Sequence, residues 1–300
     1  MNIFTFIFLI CLYALFNIYQ VYSDIELEKQ ILYSSIFILA FGIPHGAIDH
    51  ILFFKKKTTT QLKFYSVYLG LILAFLVCWL YLPMWSFILF LIISAFHFGE
   101  SQLEDISIKR SLFSLSLYSV WGLTLLTNLI YYNINELSEL TAFFNDTETF
   151  NLLYESKYIN YIFITLNSSI FIFLSFLLYS KTIKYNRFFS EIFLIALIHL
   201  TFYLFPFIIG FSLYFVVLHS LKVMSQEFHF FKKENQNFNL IHFLKLLSPY
   251  SLLSIFFTVI ILWLSHIEFI PLSMPLTSLI IISAITLPHA IVMHIFYNSN

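Results

Sequence analysis

The chain has 300 residues, of which 60% are hydrophobic and only 10% are charged. Soluble domains carry about 25% charged residues, so this composition argues against a water-soluble fold and predicts a protein surrounded by lipid. The net charge of −1 gives no reason to expect nucleic acid as a partner. Cys11 and Cys78 both lie within apolar runs, which argues against a disulfide framework or a thiolate metal site.

The apolar runs predict an all-α, polytopic transmembrane helical bundle. A bilayer core of about 30 Å needs about 20 apolar residues per helix. Runs of this kind predict about ten spans, and a count of eight or nine stays open because spans four and eight are short. Pro83 and Pro206 divide two long runs into helical hairpins, because proline removes a helix hydrogen bond. The approximate spans are 3–22, 31–54, 64–82, 84–100, 112–132, 158–180, 188–205, 207–222, 245–267 and 276–297.

The basic residues support this arrangement. With ten spans, every Lys and Arg except Lys29 and Lys157 falls on one side of the membrane. The positive-inside rule makes that side the cytoplasm, and it therefore places both termini there. Segment 133–157 becomes the one long outer loop. Apolar residues between Leu137 and Phe144 recur at helical spacing and predict a short surface helix within it.

Ten histidines in so apolar a chain need an explanation, since polar groups inside a membrane are costly and usually functional. Four spans that run from the outer to the cytoplasmic face carry short histidine clusters. The clusters read Pro44-His45-Gly46-Ala47-Ile48-Asp49-His50, His97-Phe98-Gly99-Glu100, His219-Ser220-Leu221-Lys222, and Pro288-His289 followed by His294. The first histidine of each cluster lies about 12–14 residues into its span, or about 20 Å deep at 1.5 Å per residue. This common depth predicts a shared metal site with the ligands His45, His97, His219 and His289.

Groups beside these histidines fit such a site. Imidazole without carboxylate or thiolate neighbours suits Zn, Cu, Fe or Ni. We expect Asp49 and Glu100 to accept hydrogen bonds from imidazole N–H groups, as residues behind metal ligands commonly do. His50 and His294 lie about one turn deeper along a helix of 3.6 residues per turn. They are either reserve ligands, proton carriers or groups behind the ligands.

Small and helix-breaking residues flank the motif histidines. Pro44 and Pro288 each precede one of them, and a proline there frees a backbone carbonyl and can kink the helix towards a cavity. Gly46 and Gly99 each lie close to a motif histidine in the sequence. We expect both glycines to leave room beside a ligand or substrate.

The other polar groups have simpler interpretations. His199 is alone in span seven, and we expect it to be a hydrogen-bonded packing residue. His229 and His242 lie in the basic cytoplasmic loop and His266 lies near the outer end of span nine, so all three are expected to be solvated or interfacial. Glu191 near the start of span seven is expected to be interfacial.

At these clusters the sequence resembles the Brp/Blh family of membrane β-carotene 15,15′-dioxygenases, which are bacterial and archaeal enzymes. The resemblance covers nearly the whole chain. Its most specific part is the PHGAxD element, and the order of the motifs along one polytopic chain strengthens it. The residues that carry it are Gly42-Ile43-Pro44-His45-Gly46-Ala47-Ile48-Asp49, His97-Phe98-Gly99, His219-Ser220 and Pro288-His289.

The resemblance implies that residues 1–300 form a single integral membrane catalytic domain in a bacterial inner membrane. It implies a non-haem Fe(II) held by histidines, β-carotene and O₂ as substrates, and two all-trans-retinal as products. A rhodopsin in the same cell would be a functional partner. The residues that match family iron ligands are His45, His97 and His219. Some members have a further histidine where this chain has Val223. The fourth ligand therefore stays open, with His289 favoured by depth ahead of His294 and His50, and a three-histidine site is the other alternative.

Other membrane metalloproteins are the competing interpretations. A diiron desaturase or hydroxylase, as a different carotenoid or lipid oxygenase, needs HxxxH and HxxHH boxes, which this chain lacks. A His-dependent transporter that uses Asp49 would more naturally show internal repeats and broken helices at the midplane. A haem held by two histidines leaves two motif histidines without a role.

Overall fold

The structure is a computed structural model that describes residues 2–21, 25–106, 108, 111–154 and 157–298. Across these ranges the chain is helical and contains no strand. Within the described residues, ten helical segments are long and apolar enough to cross a membrane, which confirms the predicted all-α bundle of about ten spans. Lys109 and Arg110, which contribute to the predicted cytoplasmic charge, lie outside the described residues.

The bounds of the elements follow the predicted spans closely. The first half contains α1 (Ile3–Val21), α2 (Leu27–Phe37), a π-helical turn (Ile38–Gly42), a 3-10 turn (Ile43–Gly46), α3 (Asp49–Lys56), α4 (Gln61–Tyr81), α5 (Pro83–Leu103) and α6 (Leu112–Tyr132). The loop that follows α6 contains α7 (Ile134–Phe143), a 3-10 turn (Glu148–Phe150) and α8 (Asn151–Tyr154). The second half contains α9 (Ile159–Tyr179), α10 (Tyr185–Leu204), α11 (Phe207–Leu213), a second π-helical turn (Tyr214–Ser220), α12 (Leu221–Glu234), α13 (Leu240–His266) and α14 (Met274–Asn298).

The sequence sets several helix boundaries directly. Pro83 is the first residue of α5, and Pro206 immediately precedes α11. In both predicted hairpins, the second helix therefore begins at a proline, which has no backbone N–H. The Thr60 side chain accepts a hydrogen bond from a backbone N–H in the first turn of α4. Ser111 and Ser114 exchange such bonds at the start of α6. These caps satisfy N–H groups that a helix leaves free.

The most buried spans are α5, α6 and the eighth span, Phe207–Glu234. By contrast, α1, α4, α9 and α13 bury few of their residues, as expected for helices that face lipid. The largest buried apolar cluster joins α1, α5, α6, α9, α10 and the eighth span. The centre of the bundle is therefore built from helices that carry the motif histidines and from their neighbours.

The eighth span continues further than the predicted 207–222. Lys222 was expected to end it, but α12 runs on to Glu234 and Lys222 is buried. Its ammonium group donates hydrogen bonds to the backbone carbonyls of Ser101 and Gln102, at 2.9 and 3.0 Å, and to Gln102 Oε1 at 3.2 Å. A cation is favourable at these carbonyls because they lie at the C-terminal end of α5. The charge therefore ties α12 to α5 instead of ending the span.

Helices α5 and α6 are in direct backbone contact through two glycines. A Cβ added to Gly99 would lie 1.9 Å from the carbonyl oxygen of Tyr118, and one added to Gly122 would lie 1.7 Å from that of Ala95. Small residues of this kind let helices in membranes approach closely. The expectation that Gly99 leaves room for a ligand or substrate is therefore wrong, because α6 fills the space beside it.

We expect Gly122→Ala to lower the free energy of unfolding by about 1–3 kcal/mol, because the added methyl group forces the two backbones apart. The matched control is Gly70→Ala on α4, where an added Cβ meets nothing within 4 Å. That control should be neutral or stabilising by up to about 1 kcal/mol, since alanine is the better helix former. Thermal unfolding in detergent measures both variants, and equal midpoints would contradict the close contact of α5 and α6.

Candidate metal centre

Four imidazole rings meet in the interior of the bundle. His45 lies in the first 3-10 turn, His97 on α5, His219 in the second π-helical turn and His289 on α14. The ring centroids follow each other in a closed set, with 4.7 Å from His45 to His289, 5.0 Å to His97, 4.8 Å to His219 and 5.1 Å back to His45. Neighbouring rings are nearly perpendicular, at 80–88°. The structure thus brings together all four histidines that their depth predicted to share a site.

The ring nitrogens of this cluster are buried, and several have no protein partner. Among the described residues, both nitrogens of His97 and the Nε2 atoms of His219 and His289 make no hydrogen bond. Buried polar atoms of this kind are rare because they lose their hydration without compensation. His45, His97 and His289 can each offer one nitrogen such that all three lie within 4.8 Å of one another. Two ligands of one metal bound at about 2.1 Å are at most about 4.2 Å apart, so the spacing of these nitrogens is close to what a metal ion held by imidazoles requires.

Two of the rings are oriented through their other nitrogen. His45 Nδ1 donates a hydrogen bond to the carbonyl oxygen of Gly42. His289 Nδ1 donates to Asp49 Oδ1 at 2.8 Å. Histidines that bind metals almost always make such a bond to a carbonyl or carboxylate, which fixes the proton on that nitrogen. In both rings Nε2 is then left as the electron-pair donor.

Asp49 is itself held in place by a second helix. It is buried, and its Oδ2 accepts a hydrogen bond of 2.9 Å from the hydroxyl group of Tyr68 on α4. The carboxylate therefore bridges His289 and Tyr68, and its charge lies where it offsets part of the charge of a bound cation. Sequence reasoning found Asp49 but missed Tyr68, because Tyr68 is one of 19 tyrosines and belongs to no motif.

Irregular backbone carries two of the four rings. The second span leaves α-helical geometry at Ile38, passes through the 3-10 turn that contains Pro44 and His45, and becomes α-helical again at Asp49. His219 lies in a π-helical turn, a feature that is frequent at functional sites. Pro44 thus lies in the expected break, whereas α14 continues as an α-helix through Pro288.

Gly46 permits the close approach of α14. A Cβ at this position would lie 3.2 Å from His289 Nδ1, which is tighter than an ordinary contact. The same ring nitrogen bonds to Asp49, three residues further along the chain. The expectation of room at Gly46 therefore agrees with the structure, and the room is filled by a motif histidine.

The two deeper histidines lie outside the cluster of four rings. His50 packs against Tyr250, with 4.5 Å between ring centroids. His294 Nδ1 donates a hydrogen bond of 2.7 Å to Glu100 Oε1, so this carboxylate supports His294. Val223 is buried in an apolar cluster one turn beyond His219. The fourth imidazole of the cluster comes from His289 on α14.

The remaining histidines make no hydrogen bond or ring contact with the cluster among the residues that the structure describes. His199 is hydrogen-bonded to Asn128, Asn167 and Tyr132 at 3.1, 2.9 and 3.0 Å, which is the packing role expected from its isolation. The exposed histidines are His229, His242 and His266.

Glu191 is buried, although its position near a span end predicted an interfacial group. It accepts a hydrogen bond of 2.7 Å from Trp121 Nε1, and it is paired with Arg187 one turn earlier. Together with Glu104 and Lys222 it lines a polar cavity of about 500 Å³. The carboxylate therefore lies between these two partners and the cavity, and a single sequence does not reveal such pairing.

Apolar aromatic rings surround the histidines. Phe98 lies edge-on to His219 with 4.8 Å between centroids, and Phe215 lies 5.6 Å from both His45 and His219. Within the described residues, Asp49 is the one carboxylate hydrogen-bonded to any of the four rings. The immediate surroundings of the four rings are therefore largely apolar.

Comparison with known proteins agrees with this geometry. A family model described as Beta-carotene 15,15'-dioxygenase matches residues 36–297, a range that contains all four clustered histidines. Searches of curated proteins and of solved structures found no match. Because the family match covers far more than half of the chain, this chain belongs to the beta-carotene 15,15'-dioxygenase family, as its histidine motifs predicted.

Proposed function

We propose that this protein cleaves β-carotene at its central double bond with O₂, at a non-haem Fe(II), and forms two molecules of all-trans-retinal. The proposed ligands are His45, His97, His219 and His289. One observation carries the proposal, namely that the four motif histidines meet as a buried cluster with unpartnered nitrogens. The family match supplies the substrate class.

The ligand set is compatible with iron but does not select it. Neutral imidazoles suit Zn, Cu, Fe and Ni, and the reaction selects among them because it needs a metal that reacts with oxygen. Fe(II), when bound here, would supply the position at which O₂ is activated. Asp49 would contribute one negative charge next to the ligands without joining them, since both of its oxygens already accept hydrogen bonds.

The apolar surroundings of the histidines agree with a reaction that consumes no proton. The carbon–carbon double bond breaks, and each carbon becomes an aldehyde by taking one oxygen atom of the same O₂. No proton and no external electron is consumed, so no side chain has to act as a general acid or base. Phe98 and Phe215 would exclude water from the cluster, which limits side reactions of reactive species.

The location follows from the substrate. The proposed location is a bacterial inner membrane, where residues 1–300 form one domain with both termini in the cytoplasm. β-Carotene partitions into lipid, so a protein in this membrane would bind it without first extracting it. Retinal released into the same bilayer would be available to a rhodopsin of that cell.

Pigment analysis tests the reaction directly. We expect expression in a β-carotene-producing bacterial strain to remove β-carotene and to produce retinal, as resolved by chromatography of extracted pigments. The matched control is His97→Ala, which should leave the pigment intact because it removes a ligand. Unchanged β-carotene in membranes that contain the intact protein would contradict the reaction. Aldehydes of two unequal lengths would contradict central cleavage.

Metal analysis tests the ligands. We expect His45→Ala, His97→Ala, His219→Ala and His289→Ala each to lose most of the bound iron, because each substitution removes one nitrogen from the cluster. Iron per purified protein, measured by mass spectrometry, reports the loss. His199→Ala is the matched control and should keep its iron, since its hydrogen bonds are to Asn128, Asn167 and Tyr132. A cluster variant with full iron content would remove that residue from the ligand set.

The hydrogen bonds that link His289 to Asp49 and Asp49 to Tyr68 can be tested separately. We expect Asp49→Asn to weaken iron binding by about 10–100-fold, as is typical when the partner of a ligand is lost. Tyr68→Phe should weaken it in the same direction by less, because the carboxylate keeps its charge and its bond to His289. Competition with a chelator measures the affinity. The control Tyr65→Phe removes a hydroxyl group from an exposed position on the same helix and should have no effect. Equal affinity in the Tyr68 and Tyr65 variants would show that Tyr68 does not support the site.

A further inference from the structure

A row of aromatic rings leads along the eighth span to the histidine cluster. Phe207, Phe211 and Phe215 recur at every fourth residue, and His219 follows at the same spacing. The planes of successive rings differ by only 8°, 15° and 23°, with centroids 6.4, 5.5 and 5.6 Å apart. We refer to the three phenylalanines as the aromatic ladder. Its inner end touches a proposed iron ligand.

The aromatic ladder is the accessible stripe of an otherwise buried segment. From Phe211 to Ser220 every residue is buried except Phe211 and Phe215, and Phe207 is also half-buried. The ladder rings also pack against the core, but each is only partly buried, so part of each ring stays accessible to another molecule. The stripe contains no polar atom before His219, so its occupant has to be apolar.

The second span flanks the inner end of the ladder. A Cβ added to Gly42 would lie 2.7 Å from Cε1 of Phe215, so the absence of a side chain allows this ring its position. The same glycine supplies the carbonyl oxygen that holds His45. The ring of Phe215 is therefore placed by the segment that also positions a proposed ligand.

The length of the ladder matches half of a long hydrocarbon. Phe207 and His219 are twelve residues apart, which corresponds to about 18 Å at 1.5 Å per residue. A linear molecule of bilayer-spanning length, about 30 Å, has its centre about 15 Å from either end. Flat conjugated systems also stack favourably on aromatic faces, beyond the gain from burying apolar area.

We propose that the aromatic ladder binds one half of a linear polyene substrate and that its length places the central double bond beside the four histidines. This inference rests on the proposed function and deepens it, since it names the surface that selects where the chain is cut. The alternative is that the three phenylalanines only pack the eighth span against its neighbours.

Binding in the absence of O₂ distinguishes the two, because the substrate then stays intact. β-Carotene is titrated into the purified protein in lipid nanodiscs, and the shift of its visible absorption reports binding. We expect Phe207→Leu and Phe211→Leu each to raise the dissociation constant about two- to tenfold, and the double variant to combine the two factors. Iron content should not change, because neither residue touches a proposed ligand. The matched control is Phe256→Leu on the exposed face of α13.

Two further variants separate stacking from packing. Phe211→Tyr keeps the ring, so it should bind like the wild-type protein and cleave at the centre. The double leucine variant should also release aldehydes of unequal length when O₂ is admitted, since the polyene is no longer held in register. Ladder variants that bind like Phe256→Leu, or a folded Phe211→Tyr that binds as weakly as Phe211→Leu, would overturn the proposal.

Failure of the proposed function would be visible separately. If the wild-type protein neither binds nor cleaves β-carotene, the proposed reaction is wrong and the ladder has no polyene to hold. If the wild-type protein cleaves β-carotene at its centre while the ladder variants behave like the control, only the role of the ladder is refuted.

Discussion

Burying four imidazole rings side by side in an apolar bundle is unfavourable, because each ring nitrogen loses its hydration. His97 shows this most clearly, since neither of its nitrogens has a partner among the described residues. A bound cation would satisfy one nitrogen of each ring, so ion binding and folding of this region would be coupled. The rest of the structure depends on this requirement, because four separate helices must reach one point at one depth.

Several contacts hold those helices in register. Helices α5 and α6 touch backbone to backbone at Gly99 and Gly122, which leaves α5 little freedom to move. The ammonium group of Lys222 binds the C-terminal carbonyls of α5 and so joins the helix of His97 to the span of His219. Both contacts lie outside the cluster. They act on it through the positions of the ligands, and loosening either one would widen the site.

Much of this architecture could be predicted from the sequence, for physical reasons. Long apolar runs predict spans because lipid cannot satisfy backbone groups outside a helix. Counting residues along spans of the same direction then gives depth, and depth alone predicted the meeting of the four histidines. The failures concern pairing across distant segments. Lys222 and Glu191 looked like span ends because a charge in lipid is costly, and their partners on α5, α6 and α10 could not be seen in a linear pattern. The expectation for Gly99 was wrong for the same reason, because its neighbour is the backbone of Tyr118 on α6.

The PHGAxD element gains a physical explanation from the structure. His45 and Asp49 are four residues apart but act on different sides of the cluster. His45 would be a ligand, whereas Asp49 orients His289, which comes from the other end of the chain. The break in the second span makes this division feasible, because the 3-10 turn directs His45 inward before α3 places Asp49 beside α14. Val223 packs in an apolar cluster, so the fourth imidazole of the cluster is His289, whose orientation depends on Asp49. One short element would thereby supply one ligand and fix the direction of another.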